Sequence, residues 1–542
     1  MYRILFLFCL TGGFLSGCSF LAGEPREERP NILIMMLDDM GYSDLGCYGG
    51  EIHTPNIDQL ASQGIRFTQM YNTARCCPSR ASLLTGHYPH RAGINGMGVN
   101  LSMNTATIAE VLKENGYHTG MTGKWHLSET KPLDDPTEQL RWLAHRVDYG
   151  SFSPLENYPC NRGFDEHWGV IWGVVNYFDP FSLVHNEKPI KEVPEDFYMT
   201  DFITEKSIEL IDSYSKDDKP FFLYVAHTAP HWPLHALPED IEKYKDTYKE
   251  GWDVMREKRY QRMVKMGIIN RETYPLPANS SGKRWEDCEE KDYEAACMAV
   301  HAAMIDRVDQ GVGRIIQKLK ETGQYENTII MILSDNGASY ERGYPPGFDR
   351  PGFTRDSVMI EYNAHYPGGE TTWNYIGDAW ASASNTPFRY WKMESYEGGI
   401  ATPFIIHWPA GLKGKENSIN HGVAHIMDIL PTCLDVTGAK FPEYVNGRKV
   451  IPPVGKSLIP LIRDENVSLH DTLYWEHQGG RAIRTAMWKM SALPGKQWEL
   501  FRITEDHTET RDLADQYPEK VKELERAWEK WAVNVGIDFR KN

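Results

Sequence analysis

Five short apolar runs, each giving way to charged or imidazole side chains, constrain the fold of this chain more than any other feature. "NILIMML" stops at Asp38 and Asp39, "YHTGMTGKWH" carries Lys124 and His126, and "PFFLYVAHTAPHWP" runs on to His227 and His231. "NTIIMILS" stops at Asp335 and Asn336, and "ATPFIIHWPAG" is a further run. Runs this short read as buried strands. Between them lie helical patterns such as "TIAEVLKENG", which Gly116 stops, and the amphipathic "HAAMIDRVDQGVGRIIQKLKETG". The alternation predicts an α/β fold on a large, mostly parallel mixed sheet flanked by helices. In such sheets the carboxyl ends of the strands share one rim, and ligands bind in the crevice beyond it. Residues as distant as Asp38 and Asn336 are therefore expected to meet in one pocket.

The pattern changes after "HIMDILPTCLDVTGA". A Pro/Gly-rich connector, "YVNGRKVIPPVGKSL", leads to "TLYWEHQ", "RAIRTAMWKMSAL" and "QWELFRI", which read as antiparallel strands with hairpin turns. "PEKVKELERAWEKWAVNV" reads as a closing amphipathic helix. We therefore divide the chain into a main unit over 31–460 and a smaller C-terminal α+β subdomain over 461–542. Residues 337–386 are rich in Gly, Pro and aromatics, and a long irregular segment beside the rim is either a functional lid or a plain surface loop.

The first residues, "MYRILFLFCLTGGFLSGCSF", have the layout of an export signal, with Arg3 ahead of an apolar run and small residues before Cys18. Gly12 and Gly13 interrupt the run, which falls short of the roughly 20 apolar residues of a membrane span. Its end, "LSGC", resembles the lipobox of bacterial lipoproteins. That resemblance implies a signal peptide over 1–17, lipid on Cys18 and a polar tether over 18–30. It also implies an exported protein held on a membrane of the periplasm or outer membrane, with the cell surface as a further destination. The formal net charge of −17 argues against nucleic acid as a partner, although a local basic pocket survives such a balance.

The chain has nine cysteines. With Cys9 in the signal and Cys18 lipidated, Cys47, Cys76, Cys77, Cys160, Cys288, Cys297 and Cys433 remain, an odd set for an exported protein. If chemistry consumes one of the adjacent pair Cys76 and Cys77, six are left for up to three disulfides of undetermined pairing.

Asp38, Asp39, Asp335 and Asn336 offer only oxygen donors, a set that suits Ca²⁺ or Mg²⁺ better than zinc. Either pair alone would be read as capping the next helix. Two pairs on one rim favour a metal site.

"CCPSRASLLTG", starting at Cys76, resembles the Cys-x-Pro-Ser-Arg signature of the type I, formylglycine-dependent sulfatases of the alkaline-phosphatase superfamily. "LDDMGYSDLGCYGG", "TGKWHL", "APHWP", "SDNGA" and "PFRYWKMESYEGGIATPFIIHWPAG" are similar to further sulfatase segments in the same order. "YKEGWDVMREKRYQRMVKMGII" is closest to the arylsulfatase-like bacterial branch. The resemblance implies a sulfuric ester hydrolase in which Cys76 is oxidised to formylglycine by a separate maturation enzyme. One oxygen of the hydrated aldehyde attacks sulfur and releases the alcohol; the second hydroxyl then loses its proton and expels sulfate, an exit a plain serine lacks. By the same resemblance Asp38, Asp39, Asp335 and Asn336, with the modified Cys76, hold one divalent cation, calcium in the first instance. Arg80 orients the diol, Lys124 and Lys392 clamp the sulfate, His126 hydrogen-bonds the diol and His231 protonates the leaving oxygen. His227 is an alternative acid. His87, His90 and Arg91 in "GHYPHRAG" are further candidates for the pocket wall.

Sulfated carbohydrates and aryl sulfates both fit as substrates. Two other readings use the same residues. One is a phosphate or phosphonate ester hydrolase of the same superfamily, which ester preference separates. The other is a lipid-anchored glycan-binding protein whose Cys76 is never converted, which the mass of the 73–91 peptide separates.

Overall fold

In the structure, a computed structural model describing residues 29–538, strand β1 (Asn31–Leu37) is buried at every position. Ile32, Ile34 and Met36 join one apolar core, and Leu33, Met35 and Leu37 join another on the opposite face of the sheet. A strand covered on both faces has no polar side to show, which is why its sequence does not alternate. The expected signal over 1–17, Cys18 and the expected tether up to residue 28 lie outside the described residues, which begin at Arg29.

Among the described residues β1 is followed by β2 (Ile65–Tyr71), β3 (His118–Lys124), β4 (Glu166–Val170), β5 (Leu183–His185), β6 (Lys188–Pro189), β7 (Phe221–Ala226) and β8 (Thr328–Ser334). A short ribbon of β9 (Glu361–Tyr362) and β10 (Thr372–Trp373) precedes β11 (Ala401–His407) and β12 (Ser418–His425). The large sheet has ten strands in the order β12-β2-β11-β8-β1-β7-β3-β4-β5-β6. Its centre, β8-β1-β7-β3-β4, is parallel, while β11 runs antiparallel between β2 and β8. Helices Pro55–Ser62, Met199–Tyr214 and Lys291–Glu321 contribute to one core. Helices Cys76–Thr85, Ile108–Glu114 and Ile429–Thr437 contribute to the other.

This order builds the rim. The carboxyl ends of β1, β3, β7 and β8 lie side by side in register, as Met36 opposite Ala226 and Leu37 opposite Ser334 show. Because β11 is antiparallel, its first residue Ala401 lies opposite Tyr71, the last residue of β2. The segments leaving β2 and entering β11 therefore reach the same rim, and they carry Cys76 and Lys392.

The connector contains a two-stranded ribbon of β13 (Tyr444–Val445) and β14 (Arg448–Lys449), turned on Asn446 and Gly447 at φ 48° and 76°, as an Asn-Gly hairpin requires. The C-terminal antiparallel sheet consists of β15 (Thr472–His477), β16 (Gly480–Thr485), β17 (Trp488–Ala492) and β18 (Glu499–Arg502). Helix Pro518–Val535 places Leu524, Trp528 and Trp531 in the first core, so this sheet and the large one share a continuous apolar interior. The disulfide expectation is corrected: Cys47, Cys76, Cys77, Cys160, Cys288, Cys297 and Cys433 are all free. Cys77 and Cys433 pack in one core and Cys47 and Cys297 in the other, where a thiol serves as a small apolar group.

Candidate active site

The helix that carries Cys76 explains the spacing of its own motif. After an extended Arg75, helix Cys76–Thr85 starts at Cys76 and ends at Gly86, whose φ of 69° permits the left-handed cap. Residues four apart lie on one helix face, so Cys76 and Arg80 look the same way. Pro78 occupies the first turn, where a missing amide costs nothing. Cys77 points instead into the apolar core with Ala81 and Leu84.

Arg80, fully buried, donates from Nε and NH2 to Asp335 Oδ2 at 3.1 and 2.8 Å, and from NH1 to the carbonyl of Lys124 at 3.1 Å. Lys124 Nζ donates to Asp38 Oδ2 at 2.5 Å. Lys392 Nζ donates to Asp39 Oδ2 at 2.9 Å, and Asn336 Nδ2 donates to Asp39 Oδ1 at 2.6 Å. Burial alone would raise Asp38, but Lys124, His231 and Arg80 hold it well below the usual carboxylate range. Asp335 goes the other way: burial and the neighbouring Asp38 carboxylate push it up to about 7. Three carboxylates thus crowd a small buried volume.

The donor set fits a divalent cation. Asp38 Oδ1 and Asn336 Oδ1 are buried oxygens without a hydrogen-bond partner, and an unsatisfied buried acceptor is costly unless something occupies it. Ligand atoms of Asp38, Asp39 and His231 lie within 4.8 Å of one another. Asp335 stands slightly apart, with Oδ2 on Arg80 and Oδ1 accepting from the Asp39 amide at 3.3 Å. An oxygen-rich group with surplus negative charge is the chemistry of a hard-cation site.

His126 Nδ1 is 3.5 Å from Cys76 Sγ. Burial and Lys124 drive His126 well below its ordinary value, so it is neutral. Gly173 makes room for it, since a Cβ there would stand 2.3 Å from the imidazole. His231 donates from Nδ1 to the carbonyl of Trp232 at 2.6 Å, which leaves Nε2, 3.5 Å from Asp39 Oδ2, for proton exchange. Burial and Lys392 lower its pKa to about 4. Asp39 and His126 have φ of 68° and 58°, and Ala74 and Met393 beside the site also lie in the left-handed region. Strain of this kind persists at sites where the surrounding structure over-determines it.

Over these groups opens a cavity of about 220 Å³. Cys76, His126, His231 and Lys392 line its floor, while Trp172, Trp232, Tyr344 and Phe348 supply aromatic wall. Tyr344, Phe348, Asp349 and Arg350 all come from the 337–386 insertion, so that segment lines the cavity. Sequence reasoning missed Arg75, Trp232 and Glu341. Arg75 and Trp232 carry one sequence signal, adjacency to Cys76 and to His231, while Glu341, four residues past the Ser-Asp-Asn-Gly segment, carries none. His87, His90 and Arg91 are not in the lining: His87 is near the carbonyl of Ile451, and His90 pairs with Glu476 at 2.7 Å. His227 is buried with neither ring nitrogen partnered, held near pKa 3 by burial, and is also outside the lining.

A family model described as sulfatase matches residues 30–439, about three quarters of the chain. The chain belongs to the sulfatase family. A second model, described as the C-terminal part of N-sulphoglucosamine sulphohydrolase, matches residues 389–533 of this sulfatase. An uncharacterized sulfatase of Schizosaccharomyces pombe is 32% identical, covering 95% of each chain. The arylsulfatase of Klebsiella aerogenes is 32% identical over 81% of this chain and 93% of its own. Among solved structures, Ps i-CgsB in complex with k-i-k-neocarrahexaose superposes with a TM-score of 0.64 at 26% identity, covering 93% of both chains. As a sulfatase the protein hydrolyses sulfate esters to an alcohol and inorganic sulfate.

Proposed function

We propose that this sulfatase cleaves the sulfate monoester of a carbohydrate or aryl alcohol through a formylglycine made from Cys76 and with one divalent cation, calcium before magnesium. The observation that carries this reading is the placement of Cys76 and Arg80 on one helix face, beside Lys124, Lys392 and three carboxylates on one rim. Formylglycine, when hydrated, supplies two hydroxyls on one carbon, so the nucleophile carries its own means of releasing sulfate. A bound cation would be held by Asp38, Asp39, Asp335 and Asn336 and would polarise the ester.

The chain's own residues do the rest. Arg80 fixes Asp335 and reaches toward the nucleophile from the same helix face, while Lys124 and Lys392 bring positive charge into a dry site where it acts strongly on a developing anion. His126 lies within reach of the atom at position 76, placed to take a hydroxyl proton there. His231 keeps its Nδ1 proton on the Trp232 carbonyl and exchanges a proton at Nε2 with the departing oxygen. An anionic sulfate beside it opposes the depressing effect of Lys392 and favours its protonated form.

An apolar cavity of roughly 150 Å³ admits a benzene, so about 220 Å³ has room for a sulfate and the ring that bears it, and the open mouth leaves space for further units. Stacking on Trp172, Trp232 or Phe348 serves the face of a sugar as well as an aryl group. We further propose that the chain is exported and lipidated at Cys18, on the resemblance of "LSGC" to a lipobox. The test is release of sulfate and of phosphate from esters of one alcohol, by enzyme whose 73–91 peptide has the aldehyde mass. Faster sulfate release is expected; preference for phosphate would overturn the reading.

A further inference from the structure

Glu341 lies five residues past Asn336, at the entry to the insertion, and lines the cavity although it is 5% exposed. Its Oε2 accepts from Trp232 Nε1 at 2.9 Å and from Ser339 Oγ at 3.0 Å, and lies 3.2 Å from Lys392 Nζ. Its Oε1 lies 3.3 Å from Arg75 NH2. Arg75 immediately precedes the nucleophile, so one carboxylate joins the start of the nucleophile helix to the sulfate-clamping lysine. Three neighbours distant in sequence, Arg75, Trp232 and Lys392, and the nearby Ser339 hold it in place.

A carboxylate in the wall of an anion site needs a reason, because it weakens the field that binds the substrate. The cavity wall carries three cations, Arg75, Lys392 and Arg350. Glu341 stands against the first two, and Asp349 against Arg350 at 2.8 Å. Among the lining residues three cations face two carboxylates, so Glu341 cancels part of the positive charge the lining would otherwise turn toward a substrate anion. A sulfate monoester has one negative charge and a phosphate monoester above its second pKa of about 6 nearly two, so a carboxylate in the lining repels the phosphate ester more.

We infer that Glu341 is a specificity-determining residue that sets the charge of the cavity wall, favouring monoanionic sulfate esters over dianionic phosphate esters and positioning Lys392 and Arg75. This rests on the sulfatase reading given above. Removing the charge at a buried position strengthens attraction for a doubly charged ligand about twice as much as for a singly charged one, since the interaction scales with the charge product. The same bias against dianions assists departure of the sulfate product.

The test compares 4-nitrophenyl sulfate with 4-nitrophenyl phosphate, using enzyme matched for aldehyde content by peptide mass and for folding by thermal melting. In Glu341→Gln, the sulfate-to-phosphate ratio of kcat/KM should fall at least about tenfold, equivalent to about 1.4 kcal/mol. Glu341→Asp, which keeps the charge, should restore most of the ratio. The unaltered enzyme, which needs no variant to fold, should show the ratio rising from pH 5 to pH 8 as the phosphate ester gains its second charge. A ratio within twofold of the unaltered enzyme in Glu341→Gln, with both activities falling in parallel, would reduce Glu341 to a structural part and overturn this inference alone. Aldehyde-bearing unaltered enzyme that prefers the phosphate ester would overturn the sulfatase reading and this inference together.

Discussion

Arg80 places Nε and NH2 on the same oxygen of Asp335, at 3.1 and 2.8 Å, leaving that carboxylate's other oxygen to the Asp39 amide. Only a planar guanidinium reaches this oxygen twice while also donating to the Lys124 carbonyl. Arg80→Lys keeps the charge and loses the fork. Its kcat/KM for an aryl sulfate should fall at least about 100-fold, counted per aldehyde-bearing molecule because Arg80 lies inside the conversion motif. A loss below threefold would show that the fork is dispensable.

The adjacent cysteines should separate cleanly. Cys76 faces the site and Cys77 is packed in the apolar core. Cys76→Ala should abolish turnover while leaving the melting temperature nearly unchanged. Cys77→Ala should retain activity within a few fold and lose about 1 kcal/mol of stability for the small void it leaves. Equal loss of activity in a folded Cys77→Ala protein would mean that the pair works jointly.

The rim was legible because buried parallel strands must be apolar throughout and then stop, so Asp38, Lys124, His231 and Asp335 announce themselves at the ends of their runs. Cys76 and Arg80 were legible as a motif, and their common helix face supplies the physical reason for its spacing. Glu341 was not legible, because the insertion has neither helical nor strand period and the approach to Lys392 is made only in three dimensions. Nor could sequence show that Asp39 and His126 adopt positive φ, since neither is a glycine. The cysteine count misled for a related reason: it records how many thiols exist, and these pack separately in two cores.

The two buried oxygens without partners, Asp38 Oδ1 and Asn336 Oδ1, argue for a cation whose binding is tied to stability. Chelation should lower the melting temperature and remove activity, and Ca²⁺ or Mg²⁺ should restore both. At 100 times its dissociation constant a ligand adds about 2.7 kcal/mol to the folded state. Asn336→Ala should weaken that calcium-dependent rise in melting temperature. Verified metal-free protein with full turnover would exclude the site.

Stability should fall on mild acidification. Burial holds His425 and His507 at about 3, against an ordinary 6.5, so both are neutral in the folded protein. Between those values the unfolded chain binds more protons than the folded one. The stabilisation is therefore complete above pH 6.5 and declines as pH falls, by about 1.4 kcal/mol per histidine per pH unit. Burial raises Glu394 and Asp335 to about 7 and Asp309 and Asp349 to about 6, which acts in the opposite sense over an overlapping range, but further buried histidines, His167, His235, His407 and His477, are held at about 3 to 4 and add to the decline. Denaturant unfolding at pH 7, 6 and 5 should show the decline, and His507→Gln should flatten it. A constant unfolding free energy across that range would show that these histidines do not govern acid sensitivity.

Lys489 shows how the C-terminal sheet is tied to the rim of the candidate site. Its Nζ is fully buried and lies 2.6 Å from Glu397 Oε1 and 2.8 Å from Glu509 Oε1. The other oxygen of Glu397 accepts from Tyr71 at the end of β2, and Glu397 lies five residues beyond Lys392. Replacing Lys489 with Met fills similar space but leaves two buried carboxylates facing each other. Breaking such a pair costs about 3–5 kcal/mol. The penalty should depend on pH, because two close carboxyls relieve their repulsion by sharing a proton. Burial already raises Glu509, and loss of Lys489 removes the main influence that lowers it. A folded-state carboxyl pKa raised above its unfolded value contributes stability at low pH and loses it as pH rises. Lys489→Met should therefore lie closer to the unaltered protein at pH 5 than at pH 8 in denaturant unfolding. A deficit equal at both values would assign the cost to packing, and no deficit would mean that other contacts dock the sheet.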